Sequence, residues 1–408
     1  MEQFSSKLWF PNGIVNEFTK NENISLFEHY NIHTEFGTID MFDVSELANI
    51  DTFNRLISEL NDLEDFEFWG DFNPLDKFEN IELIETRKGI QLNLSNSEKS
   101  LQGIFHNLPI KSWRRKWSEL ETNSHFLIPT GGIQWKGLDV MVFRQSVKSS
   151  PLEWKTESPA IFSEMGSILG KFHTLMLDTS APRMEKEWNS RLKRLETISS
   201  SGTLWRVPHS RNTNSIRSLG DLTCKDWLMS DDNLSLDLLN LGFQVFGMLI
   251  TKTTRFSCLR DIASMYVDID NSKLVSGTNS REYLRKVFFE SWRKEAPQKW
   301  HSNSALDGNL GGMQIWRYDV ELKNLFVAKS CNKVYSKAWI NNVKNIQRAL
   351  FNYRIISGSA LGMLLSSATI ALLWPGLLMT SKVLILSTGV IIYYLGMKAY
   401  RKTSLPPY

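Results

Sequence analysis

The chain has 408 residues, 22% of them charged and 42% apolar, the proportions of an ordinary globular protein. Its 47 basic and 44 acidic residues leave a formal net charge of +3, which argues against nucleic-acid binding by bulk electrostatics. Only three cysteines occur, Cys224, Cys258 and Cys331, with no CxxC, so neither a disulfide framework nor a zinc site is expected, and all three read as reduced, partly buried thiols.

Met1–Phe10 has no basic region followed by an apolar run, so no signal peptide is expected. Residues 1–75 read as an N-terminal extension or cap, acidic in its second half, with a short helix over Phe53–Leu63. Residues 76–150 change character. Ile81–Thr86, Gly89–Leu94 and Ser100–His106 alternate or run apolar and predict three antiparallel strands. A helix over Lys111–Glu121 follows, with Trp113, Trp117 and Leu120 on one face. Next come the apolar run from Phe126, a turn at Gly131-Gly132 and a strand over Leu138–Phe143. This stretch is expected to form a mostly β N-lobe with one helix.

Residues 151–350 are expected to form a mostly helical C-lobe. Apolar residues recur at helical spacing over Ile161–Leu177, Trp188–Ile198, Leu238–Ile250, Leu259–Val267 and Arg281–Lys294. His173 falls on an apolar helix and is expected as a packed, hydrogen-bonded core histidine. The Arg281–Lys294 helix is basic and amphipathic; such a helix can lie on anionic lipid, but more often faces the core with a solvated back, which is the expectation here. Trp339, Val343, Ile346, Leu350 and Tyr353 follow a 4-3-4-3 spacing, in a helix expected to run into the segment that follows.

That segment, residues 351–402, predicts a transmembrane helical hairpin. From Ile355 to Leu395 the only formal charge is Lys382. One span of a bilayer takes about 20 helical residues, so the stretch suits two passes, with a turn at Trp374-Pro375-Gly376. Lipid requires every backbone polar group to be paired internally, which favours helices. Lys337, Lys344, Arg348 and Arg354 before the first pass, and Lys398, Arg401 and Lys402 after the second, place both termini and the folded body on the cytoplasmic face. Gly358 and Gly362 form a GxxxG expected to pack the hairpin on itself. Membrane lipid is therefore an expected partner along residues 355–395.

The chemistry is sought in Leu219–Asp237. Carboxylates stand at 221, 226 and 237, and Ser230–Asn233 reads as a hairpin turn before the strand-like run Leu234–Leu238. Three converging carboxylates suit Mg²⁺ and a phosphoryl acceptor, although Asp-rich turns are also common on solvated surfaces. The segment resembles the catalytic loop of the aminoglycoside/choline phosphotransferase branch of the protein-kinase-like fold: H-G-D-x-x-x-x-N, a hairpin, then a metal-binding Asp. Gly220-Asp221-Leu222 matches the G-D-L core. Upstream, Met165–Leu175 resembles that family's helix ending in L-x-x-L-H. Downstream, Leu259–Tyr266 resembles its Y-D-L-A-R-F-L helix.

The resemblance covers about residues 78–300. It implies an α+β, two-lobed, protein-kinase-like domain ahead of the hairpin. It implies Asp221 as catalytic base, Asp226 and Asp237 as metal ligands, and Mg²⁺ with ATP as cofactors of an active form. The pattern also departs from the family. Leu219 replaces the leading His, Asp226 replaces an Asn, and His106 stands where the nucleotide-holding lysine is expected, with Lys99 and Lys111 unplaced as substitutes. The glutamate that would pair with that lysine is Glu119 or Glu121, so His106 and Glu119 are the expected cofactor-side residues. Three readings stand at this point. One is a membrane-anchored pseudokinase or weakly conserved phosphotransferase with a membrane or cytosolic protein partner. Another is an active Mg-ATP phosphotransferase acting on a small-molecule or lipid-linked hydroxyl. The third is a membrane scaffold of unrelated fold.

Overall fold

The computed structural model describes residues 2–44, 46–86, 88–120, 125–148, 150–151, 159–199, 209, 213–230, 233–241, 249–250, 253–272, 277–306, 312–331, 337–403 and 407–408. The chain opens with a three-stranded antiparallel sheet of β1 (Val15–Lys20), β2 (Glu28–Thr34) and β3 (Gly37–Asp43). The sequence reading missed it, because burial along β1 is irregular and its pairing with β2 carries a bulge. Helix α1 (Ile50–Asn61) buries Phe53, Leu56, Ile57 and Leu60, the spacing of one helical face. Asn49 caps it by accepting from the backbone N–H groups of Asp51 and Thr52.

A six-stranded antiparallel sheet follows. Its members are β4 (Phe66–Gly70), β5 (Asn80–Thr86), β6 (Gly89–Ser95), β7 (Ser100–Ile110), β9 (Gly131–Trp135) and β10 (Leu138–Gln145), in the order β4-β9-β10-β7-β6-β5. The three strands expected over residues 81–106 are present as β5–β7. The boundary drawn at residue 75 falls inside this sheet, since β4 pairs with β9. Gly131 and Gly132 lie within β9 rather than at a turn. A Cβ on Gly132 would come within 2.5 Å of the Met141 carbonyl, so the glycines serve close backbone approach; the chain reverses at Lys136-Gly137, both at positive φ. The expected helix over Lys111–Glu121 shortens to α2 (Arg114–Trp117), and Glu121 lies outside the described residues.

Helices α3 (Pro159–Leu175), α4 (Glu185–Ile198), α5 (Cys258–Asn271), α6 (Thr278–Glu295) and α7 (Gly312–Ser330) build the second lobe around one core that includes Phe172, Leu192, Ile262, Trp292 and Trp316. The helix expected over Leu238–Ile250 lies mostly outside the described residues. Two short strands, β12 (Ile216–Arg217) and β15 (Arg255–Phe256), pair with each other. The second lobe's other sheet runs β11 (Ser150–Pro151), β13 (Trp227–Ser230), β14 (Asn233–Asp237) and β8 (Phe126–Leu127), with β14 and β8 parallel. The arrangement is two-lobed and mixed α/β, with the β13–β14 hairpin at the seam.

The expected continuous helix is present. Helix α8 (Lys337–Leu373) is a single rod of 37 residues, about 55 Å long. Its first half touches the body, with Ile346 in the second lobe's core, and its second half stands clear. After the Trp374–Leu378 turn, α9 (Met379–Thr403) returns to the body, where Tyr400 is buried in the same core. Ile355–Leu373 and Met379–Tyr400 are each long and apolar enough to cross a membrane, and only 11% of each is buried. Some of their hydroxyls are satisfied within the helices: Ser367 donates to the Met363 carbonyl (2.8 Å) and Thr388 to the Leu384 carbonyl (2.9 Å). The hairpin's close approaches at Gly389 and Gly396 lie beside the GxxxG rather than at its Gly362. Gly362 faces open space, whereas Gly389 sits against Ser367 and Gly396 against Ala360.

Candidate functional site

The loop before β13 is held from below. Asp261 on α5 accepts from Ser218 Oγ (2.6 Å), from the Leu219 backbone N–H (3.3 Å) and from His173 Nε2 (3.3 Å). The other ring nitrogen of His173 accepts from Trp292 Nε1 (2.9 Å), so His173 is the neutral Nε2–H tautomer and a core histidine, as its position predicts. Gly220 has φ +86°, a conformation that favours glycine, and Arg260 Nη1 donates to its carbonyl (2.6 Å). These contacts turn Asp221 into the protein.

Asp221 meets two cations there. Lys323 Nζ on α7 lies 2.9 Å from Oδ1 and Arg260 Nη2 lies 3.5 Å from it. Burial raises the carboxyl pKa, but the charges of Lys323 and Arg260 outweigh it and hold the group well below the usual range. The network continues inward: Asp319 accepts from Arg260 Nε (3.0 Å) and from Arg191 Nε on α4 (2.9 Å).

Asp226 closes the 3₁₀ turn Cys224–Asp226. Its Oδ2 accepts from the Thr223 backbone N–H (2.7 Å) and from Thr223 Oγ1 (2.9 Å). Lys88, in the turn between β5 and β6, places Nζ 3.5 Å from Oδ1 and also donates to the Asn240 carbonyl. Burial raises the Asp226 pKa, and the nearby charge of Asp237 adds to the rise against the opposing pull of Lys88.

Asp237, at the end of β14, is gripped from the first lobe. Arg144 on β10 donates Nε to Oδ1 (3.2 Å) and Nη2 to Oδ2 (3.2 Å). The backbone N–H of Leu239 (2.9 Å) and Asn240 Nδ2 (3.3 Å) complete the set.

His106 on β7 lies at the same seam, fully buried. Its Nδ1–H donates to the Lys88 carbonyl (2.8 Å), which leaves Nε2 to accept from Arg114 Nη1 (2.9 Å). Burial, with the nearby Arg114 charge, pushes its pKa well below the ordinary value, so it is neutral. Arg114 also reaches Asp139 (3.3 Å), which accepts from Gln134 and Ser112.

Three of the residues singled out from the sequence, His106, Asp226 and Asp237, therefore lie at the seam; Asp221 is held within the second lobe, where it feels the charge of Lys88, and Glu119 joins none of them. Glu119 is on the surface, paired with Lys116. Lys99 pairs with Asp76, away from the seam. The residues that sequence reasoning missed are the cations Lys88, Arg114, Arg144, Arg260 and Lys323. Lys88 carried a signal in the two-cation turn before Gly89. Lys323 carried another, as a charge in a helix buried on nearly all sides. Arg114 and Arg144 carried none.

The donor set does not fit a resident divalent cation. Both oxygens of Asp237 are taken by a guanidinium and Oδ2 of Asp226 by two donors, with an ammonium facing its other oxygen. Among the described residues, no group of three or more His, Cys, Asp or Glu is placed to hold a metal.

No family model and no curated protein matches this chain. Similar solved structures include a glucosamine kinase (10% identity, 81% of this chain and 97% of that chain, TM-score 0.46). An amicoumacin kinase in complex with AMP-PNP and Ca²⁺ is also similar (8% identity, 67% and 88%, TM-score 0.42). So is a choline kinase from Streptococcus pneumoniae (11% identity, 68% and 95%, TM-score 0.38).

Proposed function

We propose that this chain is a membrane-tethered, kinase-like pseudokinase, a binding platform held at the cytoplasmic face of a bilayer by the α8–α9 hairpin. The observation that carries this reading is the fork of Arg144 on Asp237, seconded by Lys88 at Asp226. Phosphoryl transfer is largely positioning and charge stabilisation, with metal ions bridging carboxylates and phosphates. Here the carboxylates that would hold Mg²⁺ already neutralise the protein's own cations. Displacing Arg144 from a buried pair leaves a guanidinium without a counter-charge, which is costly.

One observation favours an active phosphotransferase instead. Lys88 supplies beside Asp226 the cation that the sequence motif lacks, and its withdrawal would open that carboxylate. The full chain, purified in detergent and warmed with and without Mg-ATP, separates the two. The platform reading expects no Mg-dependent rise in Tm, and no turnover that Asp221→Ala removes. A Mg-dependent rise of several degrees would establish the active reading.

A further inference from the structure

We infer that the outer face of α6 docks on anionic phospholipid headgroups of the bilayer that the hairpin crosses; this rests on the membrane reading of α8 and α9. Three contacts bring the body to the end of the hairpin from which the spans emerge. Ile356, at the start of the first span, packs on the second lobe's core. Tyr400, at the end of the second, is buried in that core. Tyr408 then returns to α6, its ring 6.4 Å from that of Phe289 and 5.7 Å from Lys286 Nζ. The five residues after Thr403 reach at most about 18 Å, so this part of α6 lies close to the headgroup layer.

The face that α6 turns outward suits that layer. Tyr283, Lys286, Arg293 and Lys294 are exposed and fall within an arc of about 100° at 3.6 residues per turn. Tyr283 is 55% exposed, an amphipathic ring of the kind enriched at headgroup depth. Glu290 shares the arc and Glu282 lies about 20° beyond its edge, but with Lys299 just beyond the helix the cations outnumber them. Glu295 turns away toward α3, where Ser167 Oγ approaches it at 3.4 Å. Lys398, exposed on α9, adds a further cation beside the span. Basic residues this near an anionic leaflet are attracted within a Debye length.

The test uses the full chain reconstituted in vesicles of phosphatidylcholine alone or with phosphatidylserine. Acetylation of Lys286 and Lys294 is followed by mass spectrometry. The expected result is labelling slowed about fivefold at each lysine in the anionic vesicles. High salt, or the variant Arg293→Glu/Lys299→Glu, which keeps both labelled lysines, should shrink the difference while the chain stays embedded. Equal labelling in both vesicles, with the chain retained through an alkaline wash, overturns the inference and leaves the hairpin reading intact. Loss of the chain in that wash overturns the hairpin reading itself.

Discussion

Arg144 and Asp237 meet across the seam through two hydrogen bonds of 3.2 Å each, one lobe supplying the guanidinium and the other the carboxylate. Both side chains are almost fully buried, so this pair fastens the lobes at the place where the resemblance would put a metal ion. Asp237→Ala strands Arg144 in the interior. It is expected to lower stability by about 3–5 kcal/mol, read as a shift in the urea midpoint of the full chain in detergent. Pairing it with Arg144→Met should recover most of the loss, because the uncompensated charge disappears.

Asp221 and Asp226 are expected to respond to pH with opposite signs. The Asp221 carboxyl is depressed, so its contribution is present above the unfolded value of about 3.9 and is lost as pH falls through the folded value. The Asp226 carboxyl is raised, so its contribution is present below about 3.9 and is lost as pH rises through its folded value. Asp226→Asn keeps an oxygen for Thr223 and removes the titration. Urea midpoints measured upward from about pH 4 should fall for the wild type and stay flatter for this variant.

Asp221→Asn removes the counter-charge of Lys323 and one of the carboxylates that face Arg260. A loss of about 3–5 kcal/mol is expected near neutral pH, with a weaker dependence in strong acid. If the seam is structural, the same variant leaves nucleotide affinity unchanged in an isothermal titration.

Within the hairpin, Gly389 and Gly396 are the close approaches. An added Cβ would stand 2.5 Å from Ser367 Cβ and 2.8 Å from Ala360 Cβ, while one on Gly362 would meet nothing within 4 Å. Gly389→Leu and Gly396→Leu should each weaken the α8–α9 contact by about 1–3 kcal/mol, seen as faster cleavage of the folded chain by a protease. Gly362→Leu should leave that rate unchanged.

Period and composition sufficed for the helices. Residues 281–294 and 339–353 read as helices because their apolar residues recur every three or four positions, and both fall within the observed rods. The Gly131-Gly132 pair misled, because a glycine needed for backbone approach reads in one dimension like a glycine needed for a turn. The sheet of β1–β3 escaped because burial along β1 follows no period of two and its pairing with β2 carries a bulge, so the strands take their register from one another.

Sequence by itself determined the apolar hairpin, the helical second lobe and the three carboxylates at 221, 226 and 237, since each is written in local order and spacing. Only the tertiary structure decided what those carboxylates face. Arg144, Lys88 and Lys323 arrive from strands, turns and helices between 93 and 138 residues away. Which cation meets which anion is a matter of how two lobes close, and Coulomb's law acts on distance in space rather than along the chain.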